Sequence, residues 1–111
     1  MIDRTKKITG RFYATANGRR PVREWLLSLS KDDRRTIGIG IQRVEFGWPI
    51  GMPYCRLWEV PSNISDRQIA RVIFIIDDGE MILLHGFIKK TQRTSTQDIA
   101  LARQRKKESD A

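Results

Sequence analysis

Val22, Trp25, Leu26 and Leu29 recur at intervals of three and four residues, which places them on one stripe of a helix. Pro21 suits a first helical position, where no N–H is needed, and the pattern predicts a helix over 21–29. Ser30, with Asp33 three residues on, has the form of a capping box, so a second helix should start at about Lys31. Ile37, Ile41 and Val44 give it one apolar face, and Gly47 is a suitable stop. Gly38 and Gly40 lie inside it, each costing about 1 kcal/mol relative to Ala. Upstream, TGRFYAT (9–15) suits a short strand and Asn17-Gly18 a turn. Downstream of the irregular WPIGMP (48–53), apolar residues gather in three short runs: YCRLWEV (54–60), QIARVIFII (68–76) and EMILLHGFI (80–88). Asp78-Gly79 is a hairpin signal and PSNISD links the first two runs, so an antiparallel meander is expected. Ser95 with Asp98 offers another cap before a short basic helix over about 96–107. The order β-α-α-β-β-β, then a C-terminal helix, predicts an α+β fold with a helical hairpin packed on an antiparallel sheet, all within one domain over 1–111.

Alternate side chains of a strand point to opposite faces. Sorted by that rule, one face of the meander reads Trp58, Val60; Ala70, Val72, Phe74, Ile76; Ile82, Leu84, Gly86, Ile88, with no charge. The other reads Leu57, Glu59; Ile69, Arg71, Ile73, Ile75; Met81, Leu83, His85, Phe87, Lys89. The first face should carry the helical hairpin. The second should form a half-open surface with apolar walls and a few polar groups, Glu59, Arg71, His85 and Lys89, which is the general composition of a ligand site. His85 and Lys89 would lie about 13 Å apart along one strand. Two readings of His85 stay open: a satisfied structural histidine at a strand end solubilised by lysines, or a working group.

Charge sharpens the picture. The chain of 111 residues carries 21 Lys and Arg against 13 Asp and Glu, a net charge of +8. The excess is spread from Arg4 to Lys107, and such a field attracts polyanions, of which nucleic acid is the foremost. With 40% hydrophobic residues the chain has the means to bury a core. The single Cys55 excludes an internal disulfide and fits a reducing cytosol. The segment 1–10 is polar and basic, unlike a secretory signal, and no run approaches the roughly 20 apolar residues of a membrane helix.

One His and one Cys without clustered carboxylates argue against a catalytic zinc site. No phosphate-cradling glycine motif is present, so neither a metal nor a small-molecule cofactor is expected. RNA cleavage without metal stays open. The ribose 2′-OH attacks the adjacent phosphorus, which calls for a base, cations for the phosphorane, and an acid for the departing 5′-oxygen. Histidine serves as base or acid. Arginine grips phosphate in bidentate fashion, and Phe87 offers a ring to stack on a base.

LWEV (57–60), RQIARVIFIIDDGEMILLHGFIKKTQRT (67–94) and IALARQRKKE (99–108) resemble the phage-derived HigB-type branch of the RelE/ParE toxin superfamily, and the predicted element order matches that RelE-like fold. The resemblance implies the toxin of a type II toxin–antitoxin pair, a metal-independent endoribonuclease that cleaves mRNA on translating ribosomes in the bacterial cytoplasm. It also implies a cognate antitoxin, commonly a helix-turn-helix protein. The family's basic site residues fall on Arg71, Lys89 and Lys90, with His85 and Arg93 as further carry-overs. One departure is Pro61, which stands where relatives place an arginine that follows the LWE segment. Arg56 and Arg67 are its candidate substitutes, and Pro61 should end its strand early.

Two other functions compete. ParE-type relatives poison DNA gyrase through a protein contact, without nuclease chemistry. A basic nucleic-acid-binding module, or a degenerate toxin, would keep the fold and lose the turnover. For the C-terminal helix, with its thin stripe of Ile99, Ala102 and Arg103, docking on the sheet edge, binding rRNA, displacement by an antitoxin and plain solvation all stay open.

Overall fold

Ser30 is the pivot of the helical hairpin. Its Oγ accepts the Asp33 N–H at 3.2 Å and so caps α2 (Lys31–Gly47), which has the bounds its pattern predicts. The preceding α1 (Pro21–Leu27) stops two residues sooner than its apolar stripe suggests, and the Ser28 hydroxyl donates to the Trp25 carbonyl at 2.6 Å as the chain leaves the helix. These elements are seen in a computed structural model, which describes residues 5–51, 56–89 and 94–110.

The remaining elements are β1 (Thr9–Phe12), β2 (Trp58–Asn63), a single tight turn at Ser65–Arg67, β3 (Ile69–Asp77), β4 (Glu80–Lys89) and α3 (Thr96–Asp110). The order is the expected one and the fold is α+β. Strands β2, β3 and β4 form the antiparallel meander, and β1 joins β4 in parallel, which gives a mixed sheet in the order β1-β4-β3-β2. Asp78 and Gly79, at φ 48° and 76°, supply the two left-handed residues that a tight turn of the twisted β3–β4 hairpin needs. Among the described residues, no helix is long and apolar enough to cross a membrane.

Both sheet edges carry a particular device. At β1 the Glu45 carboxylate of α2 accepts the Gly10 N–H at 2.7 Å, while its main-chain oxygen accepts those of Lys7 and Ile8 at 2.8 and 3.2 Å. Helix α2 thus satisfies donors that an edge strand leaves open. At the other edge, β2 passes through Pro61 and ends at Asn63, so the expectation that Pro61 closes its strand is overturned. An edge strand accommodates proline because an N–H on its outer side has no partner strand to lose.

The sheet is buried on both faces. On one, Val22 of α1 and Ile37, Ile41 and Val44 of α2 cover Val60, Ala70, Val72, Phe74, Met81 and Leu83. On the other, Ile99 and Ala102 of α3 cover Tyr13, Leu57, Ile73, Ile75, Ile82 and Leu84. The two-face sorting therefore holds for β2 and β3 and fails for the first half of β4, where Met81 and Leu83 face the hairpin. The cause is a β-bulge. Ile73 pairs with His85 and Phe74 with Leu83, so Leu84 has no opposite number. The extra residue resets the alternation, and Gly86 and Ile88 return to the hairpin side as predicted. The other expectation to be corrected is a front left half-open along its whole length, with α3 at most on an edge. Helix α3 lies across that face and seals the part nearest the β3–β4 turn.

Candidate functional site

Exposure rises along the uncovered part of the α3 face. Beneath α3, Ile73, Ile75, Ile82 and Leu84 are buried. Farther along, Arg71, Phe87 and Lys89 are half-buried, Pro61 and Asn63 are exposed, and Ile69 is 37% exposed. The register sets these side chains in rows across three strands. Glu59, Ile73 and His85 form the first row, Pro61, Arg71 and Phe87 the second, and Asn63, Ile69 and Lys89 the third. Members of a row are direct cross-strand neighbours, and diagonal neighbours are about 7–8 Å apart. Arg71 and Lys89 thus share one face on adjacent strands, outside the helical hairpin, with Phe87 and Ile69 as apolar walls beside them.

Arg71 is anchored from one side. Its Nη1 donates to Glu59 Oε2 at 2.8 Å, and the Thr94 hydroxyl donates to Glu59 Oε1. Arg71 Nε is buried and finds no acceptor among the described residues, an uncompensated donor on a cation. Lys89 is half-buried and makes no ion pair among the described residues.

His85 is differently placed. The bulge turns it toward α3, where its Nε2 lies 2.6 Å from Asp98 Oδ1 and its Nδ1 3.5 Å from Arg105 Nη1. A guanidinium only donates, so the contact with Arg105 calls for an accepting Nδ1, with Nε2–H then donating to Asp98. Its ring stacks on Phe87 at 5.2 Å between centroids. With both nitrogens engaged, His85 is a strut between sheet and helix. Two further contacts reinforce it. Arg105 Nη1 donates to the Leu84 carbonyl at 2.8 Å, and the Tyr13 hydroxyl donates to Glu108. That hydrogen bond, with burial behind it, raises the Tyr13 pKa above its ordinary value, and burial lowers that of Arg105.

The other sequence candidates divide. Arg67, in the left-handed region at φ 58°, lies in the turn between β2 and β3, at the sheet end that carries Ile69 and Lys89. Arg56, also left-handed at φ 63°, precedes β2 and so lies at its opposite end. The structure brings Arg71, Phe87, Lys89 and Arg67 to one region and leaves Arg56 away from it. Lys90 and Arg93 lie outside the described residues. A clamp from α2 holds the turn that carries Arg67: Asp33 Oδ1 accepts the Ser65 N–H at 3.0 Å and Oδ2 accepts its hydroxyl at 2.8 Å. The Ser65 N–H, then its hydroxyl, lowers the Asp33 pKa below the usual carboxylate value.

Sequence reasoning placed Glu59 among the polar groups of this face but gave it no catalytic or RNA-binding role, and it read Asp98 only as a helix cap. The cap is real, with the Asp98 N–H donating to Ser95 Oγ at 3.1 Å, yet the second carboxylate oxygen reaches His85. No local signal shows that second role, because it depends on where α3 docks. Among the described residues, no three His, Cys, Asp or Glu side chains are grouped to hold a metal ion.

Comparison with known families gives a match over most of the chain. The model described as "Phage derived protein Gp49-like (DUF891)" matches residues 24–107. No curated protein matches the chain.

Proposed function

Because the chain belongs to the phage-derived Gp49-like family (DUF891), within the RelE/ParE-like toxin superfamily, we propose that it is the toxin of a type II toxin–antitoxin pair, of the HigB branch, and that it cleaves mRNA on translating ribosomes. Family membership is consistent with a toxin and suggests an antitoxin partner. The observation that carries the nuclease reading is the uncovered end of the α3 face, where Arg71 and Lys89 lie diagonally between apolar side chains. Arg71 holds a non-bridging phosphate oxygen and offsets the charge of the phosphorane. Lys89 and Arg67 draw the strand across the open rows, and Ile69 and Phe87 contact sugar or base. Lys90 and Arg93, which follow Lys89 in the sequence, are further basic candidates for contact with RNA. The work is done in the cytoplasm, where translating ribosomes are, and an antitoxin neutralises it.

The test is purified protein added to translating ribosomes, with the 5′ ends of the mRNA mapped. New ends should appear with wild type, and Arg71→Ala should lower their rate by about 100-fold or more. Intact mRNA with wild type would end the proposal. The full engagement of His85 favours one competitor, a gyrase poison that needs no general acid or base. Double-strand breaks in a supercoiling assay, with mRNA untouched, would select it.

A further inference from the structure

Cleavage by the ribose 2′-OH needs a proton acceptor on one side of phosphorus and a proton donor on the other, because the entering 2′-oxygen and the leaving 5′-oxygen lie roughly in line. His85, the sequence candidate for either task, has both ring nitrogens occupied. The sheet register supplies another pair. Glu59 stands opposite Ile73, Arg71 opposite Pro61 and Phe87, and Lys89 opposite Ile69. Each step from Glu59 to Arg71 to Lys89 moves one strand across and two residues along. The three residues therefore form one straight diagonal across β2, β3 and β4, with about 7–8 Å per step. A carboxylate stands at one end, a guanidinium in the middle and an ammonium at the other.

We propose that Glu59 is the general base of the reaction and Lys89 its general acid, on either side of the phosphate held by Arg71. This rests on the nuclease reading above and assigns the two proton transfers within it. Glu59 is 27% exposed at its side chain, so its carboxylate is within reach of substrate. Arg71 and Thr94 each take one lone pair of that carboxylate, and the others stay free to accept. The same guanidinium that fixes the carboxylate through Nη1 has further Nη N–H donors for phosphate, which places the base beside the 2′-oxygen. Asp98, the other carboxylate nearby, is committed to His85 and to the start of α3.

The chemistry balances without a further reactant. Glu59 takes the proton of the 2′-OH as the 2′-oxygen bonds to phosphorus. The bond from phosphorus to the 5′-oxygen then breaks, its electron pair staying on that oxygen, and the Lys89 ammonium protonates it. The products are a 2′,3′-cyclic phosphate and a 5′-hydroxyl. Exchange with solvent returns the proton from Glu59 and restores Lys89.

The experiment measures single-turnover cleavage and, separately, binding to ribosomes carrying mRNA. Glu59→Gln keeps the shape and the hydrogen bond from Arg71, so binding should stay within about threefold while cleavage falls by about 100-fold or more. Glu59→Asp should recover part of the rate. A substrate whose 5′-oxygen is replaced by sulfur leaves without a proton. It should restore Lys89→Ala and leave Glu59→Gln slow. Glu59→Gln cleaving at nearly the wild-type rate would overturn the assignment. So would binding and cleavage lost together, which marks Glu59 as a mere anchor for Arg71, and so would sulfur rescue of Glu59→Gln in place of Lys89→Ala. A wild-type protein that leaves mRNA intact would instead remove the nuclease reading itself, and this assignment with it.

Discussion

Gly86 has a steric reason that the structure makes quantitative. A Cβ built there would lie 2.2 Å from Trp25 Cε3, 2.4 Å from Cζ3 and 2.9 Å from Cδ2. Carbon atoms settle at about 3.5–4.0 Å, so Gly86→Ala forces the indole of α1 back by about 1.5 Å. Overpacking of this kind costs about 1–3 kcal/mol, and the upper half applies because the obstacle is a rigid ring packed against the core. Loss of glycine freedom in the unfolded chain returns about 0.4–1 kcal/mol. The net loss is about 2 kcal/mol, or roughly 8 °C in Tm for a chain of this size. Urea denaturation of wild type, Gly86→Ala, Trp25→Ala and the double variant measures it. With the indole gone the added methyl has room and only the entropy gain remains, so the cycle should show a coupling equal to the overpacking cost, about 2.5 kcal/mol. An equal cost of Gly86→Ala in both backgrounds, or none in wild type, would refute the contact.

Three further changes test the helical hairpin. Nothing lies within 4 Å of a Cβ at Gly38, whereas one at Gly40 meets Ser62 Oγ at 3.0 Å and Val60 Cγ1 at 3.2 Å; Gly38→Ala should therefore raise stability by about 1 kcal/mol in thermal melts, and Gly40→Ala should gain less or lose. Asp33 is held below its ordinary value of 3.8 by Ser65, so its stabilising contribution is complete above that value and is lost as pH falls through the lower, folded one. Asp33→Asn should be less stable at neutral pH and lose less on acidification, as read by acid titration of the circular dichroism signal; an acid limb as steep as wild type would contradict the role of the carboxylate.

Most of the fold was legible because it rests on local patterns. Ser30 with Asp33, the stripe from Ile37 to Val44, and Asp78-Gly79 each fix an element from a few residues, and the bounds of α2 follow from them. The bulge at Leu84 was not legible. EMILLHGFI alternates no less well with the wrong phase, because Met81, Ile82, Leu83 and Leu84 are all apolar and either face accepts them. Only pairing with β3 decides, and pairing is not a property of the segment. The seat of α3 was hidden for a related reason. Ile99 and Ala102 supply little apolar area, and the helix is held by polar contacts whose partners, Tyr13, Leu84 and His85, are distant in sequence. The placement of Arg71, Phe87 and Lys89 on one face was legible from their parity, whereas the contacts of His85 with Asp98 and of Glu59 with Arg71 and Thr94 were not, because they join elements distant in sequence.

The bulge also explains how one face holds both a docked helix and an open row of cations. A residue without an opposite number leaves its main-chain groups out of the ladder, and the Leu84 carbonyl accepts from Arg105 of α3 instead. The same reset turns His85 to the α3 side together with Leu84, where Asp98 meets it. It then returns Gly86 to the hairpin side, under Trp25. Leu84, His85 and Gly86 thus tie α3 to one face and α1 to the other within three residues. The polar ties from β4 to α3 fall at Leu84 and His85, Phe87 packs against the border of the covered cluster, and Arg71 and Lys89 lie on the open side. A regular strand in place of the bulge would bring Met81 and Leu83 under α3 and remove the reason for the Leu84 carbonyl to accept from Arg105. The open end of the face is therefore a consequence of where β4 breaks its own alternation, and the residues that the nuclease proposal assigns to the phosphodiester are those just past the break.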